Sequence, residues 1–369
     1  SYSSGSAKLI MTNSADRVNV GGTFENYIWS SSSNISNLQA GVMSVKGDFI
    51  CRDDCNGFYT GGTHKVILNG TGVQKVQIAD SMGFNELDIQ NDNVVFVADT
   101  DMKGFKANHD ITLNVSQGKK LYISGTLDLN GHTLYAPGNL TLTGIGVNVK
   151  GGSIVVDGNL KLSCDVNLGG GNLQVKGNLI QSSHTLTVAG GTVDVSGDYR
   201  MENENVDSTG NVSYSSGSAK LIMTNSADRV NVGGTFENYI WSSSSYISDL
   251  QAGVMSVKGD FICRDDYNGF YTGGTHKVIL NGTGVQKVQI AEAKGFNELD
   301  IQNDNVVFVA DTNMKGFKAN HDITLNVSQG KTLQISGTLD LNGHTLYAPG
   351  NLTLTGNGVN VKGGRIVVD

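Results

Sequence analysis

Gly138-Asn139-Leu140-Thr141-Leu142-Thr143-Gly144-Ile145-Gly146-Val147-Asn148-Val149-Lys150-Gly151-Gly152-Ser153-Ile154-Val155-Val156-Asp157 runs directly into Gly158-Asn159-Leu160. Within this stretch three short alternations stand out, Leu140–Thr143, Val147–Lys150 and Ser153–Asp157, each bounded by glycine or asparagine. Leu140, Leu142, Val147, Val149, Ile154 and Val156 fall on one parity; Thr141, Asn148 and Lys150 fall on the other. That is period two with a single apolar face, the signature of half-buried strands separated by turns. The pattern recurs. Lys119–Pro137, Gly138–Asp157, Gly158–Lys176 and Gly177–Ser196 match in length to within one position, and Gly197-Asp198-Tyr199 opens another. Three short strands every ~20 residues describe one coil of a parallel β-helix, in which each coil covers the apolar face of the last. The sequence therefore predicts an all-β, parallel β-helix or β-solenoid. Right-handed coiling is expected, because parallel crossovers favour it and no strict hexapeptide repeat is present.

A longer period encloses the short one. Residues 1–157 align with 213–369 without a gap at an offset of 212, and only 11 of the 157 positions differ. Asn34/Tyr246, Asn37/Asp249, Cys55/Tyr267, Met82/Lys294, Tyr122/Gln334, Ile145/Asn357 and Ser153/Arg365 are among them, mostly in expected loops or at outward strand positions. Residues 1–212 thus read as a first complete long repeat of a continuous solenoid, and 213–369 as a second, truncated copy. Longer coils are expected in its early part, with one rung at Lys65–Asn69, Val73–Ile78 and Phe84–Gln90. Another combines Asn93–Asp99, a strand near Phe105, and Ile111–Gln117. About sixteen to eighteen rungs follow, and at ~4.8 Å per rung a rod about 80 Å long. Asn139, Asn159, Asn178 and Asp198 recur at one corner, where an axial ladder of side-chain amides is expected.

Composition narrows the remaining classes. Glycine contributes 49 residues and proline 2, which with no three-residue period excludes collagen. No apolar run reaches the ~18 residues of a membrane span. A formal charge of −8, with no polybasic run, disfavours nucleic acid and anionic lipid as partners. Cys51, Cys164 and Cys263 share the parity of Phe49, Leu160, Leu162 and Phe261, and read as small buried hydrophobes; Cys51 and Cys55 are also close enough in sequence to close a small disulfide loop.

Thr63-His64-Lys65-Val66-Ile67-Leu68-Asn69-Gly70, Phe84-Asn85-Glu86-Leu87-Asp88-Ile89, Gly177-Asn178-Leu179-Ile180-Gln181 and Gly197-Asp198-Tyr199-Arg200 resemble repeats of very large tandem-repeat secreted or surface proteins of anaerobic bacteria. The resemblance spans essentially the whole chain and implies an extracellular β-solenoid with a scaffold-like role. Its strings are structural, so it transfers no catalytic or binding residue.

Chemistry-bearing constellations are sparse. Asp53-Asp54, its copy Asp265-Asp266, and Asp99 with Asp101 are the carboxylate pairs nearest to a glycosidase arrangement, but Asp101 is Asn313 in the second copy. Asp53-Asp54-Cys55-Asn56-Gly57 lacks the spaced ligands and closing glutamate of a calcium loop. His64, His109, His132 and His184 are expected at outward strand or turn positions, with no zinc spacing. The Ser30–Ser33 and Ser242–Ser245 tracts read as loop. Thr141 and Thr143 give way to Lys161 and Ser163, then to Ile180 and Ser182, so no threonine array for ice persists. Asn-x-Ser/Thr triplets at Asn69, Asn114, Asn139 and Asn211 follow from turn composition. No catalytic residue, metal ligand or cofactor is expected.

The leading expectation is a non-enzymatic structural protein, a rod or filament at the cell surface or outside the cell. It grows by head-to-tail stacking of copies or continues as further repeats of the same chain, since the sequence starts and stops inside its repeat without a distinct cap. The rival is an adhesin presenting Trp29, Phe58 and Tyr59, with their copies Trp241, Phe270 and Tyr271, to a carbohydrate or a cell surface.

Overall fold

The structure is a computed structural model. It describes residues 7–27, 36–52, 58, 60–78, 84–107, 109–116, 119, 121–143, 146–240, 248–264, 270, 272–290, 295–319, 321–350, 352–355 and 360–369. Among these residues all regular structure is β-strand, and parallel sheets stack as a β-solenoid of about 14 turns. The chain forms two compact units, Ser1–Val166 and Asn167–Asp369.

In the first unit Val18 pairs with Met43, Met43 with Val66 and Val66 with Leu87, so successive coils shorten along the stack. A second column runs Phe24, Phe49, Val76 and Phe96. A third sets Leu140 beside Leu160 and Leu142 beside Leu162, one coil apart. In the second unit the equivalent spine is Val193, Val230, Met255, Val278, Leu299, Phe317 and Leu339. Every side chain on a column repeats the parity of the one below it, so the inner face becomes a continuous stack of aliphatic and aromatic groups. Each buried Val, Leu, Ile or Phe contributes about 1.5–3 kcal/mol of transfer free energy, an upper figure before ordering costs. Leu140, Leu142, Val147, Val149, Ile154 and Val156 are buried, Asn148 and Lys150 exposed and Thr141 half-buried. Cys51, Cys164 and Cys263 are buried beside the apolar neighbours that share their parity; Cys55 lies outside the described residues.

The coils divide differently from the sequence reading at two rungs. Glu86–Ile89 pairs with Lys65–Leu68 rather than sharing its coil, and Ile111–Val115 pairs with Val94–Phe96. The strings grouped as single rungs therefore belong to consecutive turns. The longer turns, from Phe24 to Phe49 and from Phe49 to Val76, also use up more chain and bring the number of turns below sixteen.

The Gly-Asn corner is a steric device. Asn139 Oδ1 accepts a hydrogen bond from the backbone N–H of Asn159 at 2.8 Å, Asn178 Oδ1 from Asp198 at 2.9 Å, and Asp198 Oδ1 from Thr235 at 2.9 Å. A Cβ on Gly158 would lie 2.3 Å from Asn139 Oδ1. Each asparagine thus satisfies a backbone donor of the next turn, and the next turn supplies glycine to make room. These bonds run from a backbone N–H to a side-chain oxygen. An amide chain does form elsewhere: Asn91 Nδ2 donates to Gln74 Oε1, whose Nε2 donates to the carbonyls of Val45 and Gly47; Asn303 and Gln286 repeat the start of it. At Asn130-Gly131, φ values of 48° and 83° make the left-handed two-residue turn that asparagine and glycine favour.

Candidate functional site

The densest charged cluster sits where one coil is interrupted. Leu173 pairs with Val193 and Val193 with Val230, so the second of these coils is nearly twice as long as the first. The excess holds an antiparallel hairpin, Asn203–Val206 with Val212–Ser215, whose tip is closed by Asp207. Asp207 Oδ1 accepts from the Thr209 hydroxyl and from the backbone N–H groups of Thr209 and Asn211, which hold its carboxyl down to about 2.

At the hairpin root, Arg200 Nη1 lies 3.3 Å from Glu202 Oε1 and also bonds Glu237 Oε2; Nη2 reaches Asp198 Oδ2 at 3.1 Å. Arg264 pairs with the other oxygen of Glu237. Tyr214 of the hairpin lays its ring against the Arg200 guanidinium at 4.6 Å, within cation–π range. Glu202 and Glu237 are only 2% and 4% exposed. Burial first, then the Glu237 charge beside it, pushes the Glu202 carboxyl up to about 7. In the first unit the equivalent of Glu237, Glu25, pairs with Arg52 at 3.0 Å. Behind the cluster Tyr199 donates to Gln181 Oε1 at 2.6 Å, and burial pushes its hydroxyl upward. Two carboxylates this close and this covered leave no space for a sugar ring or a hydrolytic water between them. The arrangement is a packed ion network. Periodicity marks Gly197-Asp198-Tyr199 as an ordinary coil start and carries no sign that Arg200, Glu202, Glu237 and Arg264 meet. The usable signal was the gap from Gly197 to Gly234, nearly double the spacing from Gly138 to Gly158 or from Gly177 to Gly197.

A second feature is a surface depression lined by Gln90, Asp92, His109, Asp110 and His132. His109 Nε2 lies 3.0 Å from Asp92 and His132 Nδ1 3.6 Å from Asp110; His321–Asp304 and His344–Asp322 repeat these pairs at 2.8 and 3.7 Å. Asp110 also accepts from the backbone N–H of Thr133 at 2.8 Å, so it holds two turns together. Among the described residues no three histidine, cysteine or acidic groups converge on a metal-sized site.

The expected outward placement of the histidines fails at His64. It is 0% exposed and its copy His276 is 1% exposed. Nδ1 of each faces a backbone carbonyl, Ala40 at 3.0 Å and Ala252 at 2.9 Å. Burial pulls both imidazoles below their ordinary 6.5, so the neutral ring donates through Nδ1. A depressed histidine stabilises the fold above pH 6.5, and that contribution is lost as pH falls, because the unfolded chain takes up the proton first. Hydrogen-exchange protection at Lys65–Leu68 and Lys277–Leu280 is expected to weaken as pH is lowered from 7.5 to 5.5. His64→Asn with His276→Asn, which keeps an N–H near Nδ1, should flatten that response; an unchanged response would remove the histidines as its cause.

Phe58 and Phe270, expected in aromatic display loops, are core residues instead. Phe49 stacks against Phe24 and Phe58, each with ring centroids 5.0 Å away, and against Phe84 at 5.1 Å; Phe261 repeats this with Phe236, Phe270 and Phe296. Bulky aromatics fill the wider coils there. Trp29, Tyr59, Trp241, Tyr271, Asp53, Asp54, Asp265, Asp266 and both serine tracts lie outside the described residues. Asp99 is half-buried; its copy Asp311 accepts from the Thr332 backbone and hydroxyl, which lower its carboxyl. Cys164 is buried, and burial plus the Asp165 charge pushes its thiol up to about 11, away from nucleophilic use.

No protein-family model, curated protein or solved structure matches the chain. Among the described residues no helix is long and apolar enough to cross a membrane.

Proposed function

We propose that the protein is a non-enzymatic structural element, a stiff solenoid segment of an extracellular rod or filament, extended axially by a further turn of its own kind. The supporting observation is the register, in which the apolar column of each turn is covered by the matching column of the next. Phe236 is fully buried where Tyr199 registers above it, and Val230 and Val232 are buried under Val193 and Val195. Leu142 is likewise 0% exposed beside Leu162. Val156 is 0% exposed, and Val368 is 52% exposed.

The apolar, pleated face of a coil favours parallel pairing with another coil. That partner is either the same polypeptide continued or a second molecule stacked head to tail. Extracellular placement rests on the resemblance of Thr63–Gly70 and Gly177–Gln181 to repeats of surface proteins. The adhesin alternative loses Phe58 and Phe270 as display residues and keeps the tryptophans.

Sedimentation of the purified chain across a wide concentration range tests the stacking form. Association that rises with concentration, and is abolished by Val368→Asp without loss of the β-sheet circular dichroism signal, is the expected outcome. A strictly monomeric chain at every concentration would limit extension to covalent repeats.

A further inference from the structure

The hairpin root carries a consequence independent of how the solenoid is extended. Glu202 is the first residue before the inserted hairpin and Glu237 lies on the next turn, in the strand Phe236–Asn238. Both carboxylates converge on one nitrogen of Arg200 and lie within hydrogen-bonding reach of each other. Arg264 occupies the remaining Glu237 oxygen. The groups facing Glu202 are therefore Arg200 with its partner Asp198 from Tyr199–Met201 and its turn, Glu237 from the next strand, Arg264 beyond Phe261–Cys263, and Glu204 and Tyr214 from the hairpin. Two arginines serve three carboxylates at this root: Asp198, Glu202 and Glu237. Two of these, Glu202 and Glu237, are almost entirely covered.

We propose that the Glu202 carboxyl is a proton-operated latch for the hairpin Asn203–Val206/Val212–Ser215. In the protonated form its O–H donates to the Glu237 carboxylate, Arg200 stays fixed between them, and Tyr214 keeps its seat on the guanidinium. Ionisation places a second negative charge against Glu237 in a covered site, where like charges are costly. The relief available is local: the hairpin is an insertion, and lifting its root admits water to Glu202 without breaking the coil ladder on either side. The shift gives the direction. Glu202 is raised from 4.5 to about 7, so the closed root binds more protons than the open one between those values. The hold on the hairpin weakens as pH rises across that range and levels off above it.

Hydrogen exchange followed by mass spectrometry on the intact chain, corrected for intrinsic exchange rates, reads this directly. Protection of the hairpin amides relative to the flanking strand Thr192–Val195 is expected to fall by about tenfold or more between pH 5.5 and 8.5. Glu202→Gln, which mimics the protonated side chain, should keep the hairpin protected at both pH values. A flat profile in the natural chain, or an equal fall in Glu202→Gln, would overturn the latch. Carbon-13 NMR of the glutamate carboxyls provides a check that needs no variant: a Glu202 midpoint near 7 supports it, and a midpoint near 4.5 overturns it.

Discussion

In the dilute, unassociated chain Leu142→Asp should abolish local folding of the first unit, while Leu354→Asp, the same substitution at the same place in the long repeat, should cost little. Leu142 is fully buried beside Leu162, whereas Leu354 is 44% exposed. A carboxylate at Leu142 would have to be desolvated in a column that offers aliphatic neighbours and no cation, a loss of at least about 4 kcal/mol. Because solenoid turns interact chiefly with their neighbours, the damage should centre on the turns through Leu142 and decay along the stack. Exposed substitutions typically change stability by less than about 0.5 kcal/mol, and Leu354→Asp should approach that figure. Urea unfolding followed region by region with hydrogen exchange separates the two. Equal losses at both positions in the unassociated chain would mean that burial of the column does not set stability.

Gly158→Ala should cost roughly 2–3 kcal/mol, the upper part of the usual overpacking range. The added Cβ would sit 2.3 Å from Asn139 Oδ1 and 2.8 Å from the Asn139 nitrogen, so the turn would have to move away from its neighbour. Gly138→Ala is the control, because a Cβ there meets nothing within 4 Å. Both glycines open a Gly-Asn-Leu string, so local sequence gives no reason for different outcomes. Thermal unfolding of the two variants should differ by several degrees, and similar midpoints would remove close approach as the reason for the corner glycine.

The regular coils were legible because their chemistry is local. Alternation in Leu140–Thr143 and Ser153–Val156 marks the inward face, and the Gly-Asn corners mark where one coil yields to the next. The wider coils were harder to divide. Lys65–Leu68 and Glu86–Ile89 look like strands of one rung until their register shows them to be one turn apart. Phe58 and Phe270 resembled exposed loop aromatics because their neighbours are polar and glycine-rich; the space they fill exists only after several coils have stacked. His64 was misplaced for a related reason. Its single stabilising bond goes to the carbonyl of Ala40, 24 positions away in sequence, and periodicity carries no trace of it. The Arg200 cluster depends likewise on residues brought together across the long coil that holds the hairpin.

None of these differences bears on the central proposal, that stacked parallel coils associate along their axis as a structural rod. Fibre diffraction from aligned native material, paired with an electron micrograph of the same preparation, tests that claim most directly. The account predicts unbranched filaments with a meridional reflection at about 4.8 Å, the spacing of paired strands along the axis. Discrete particles lacking an axial strand reflection would contradict it.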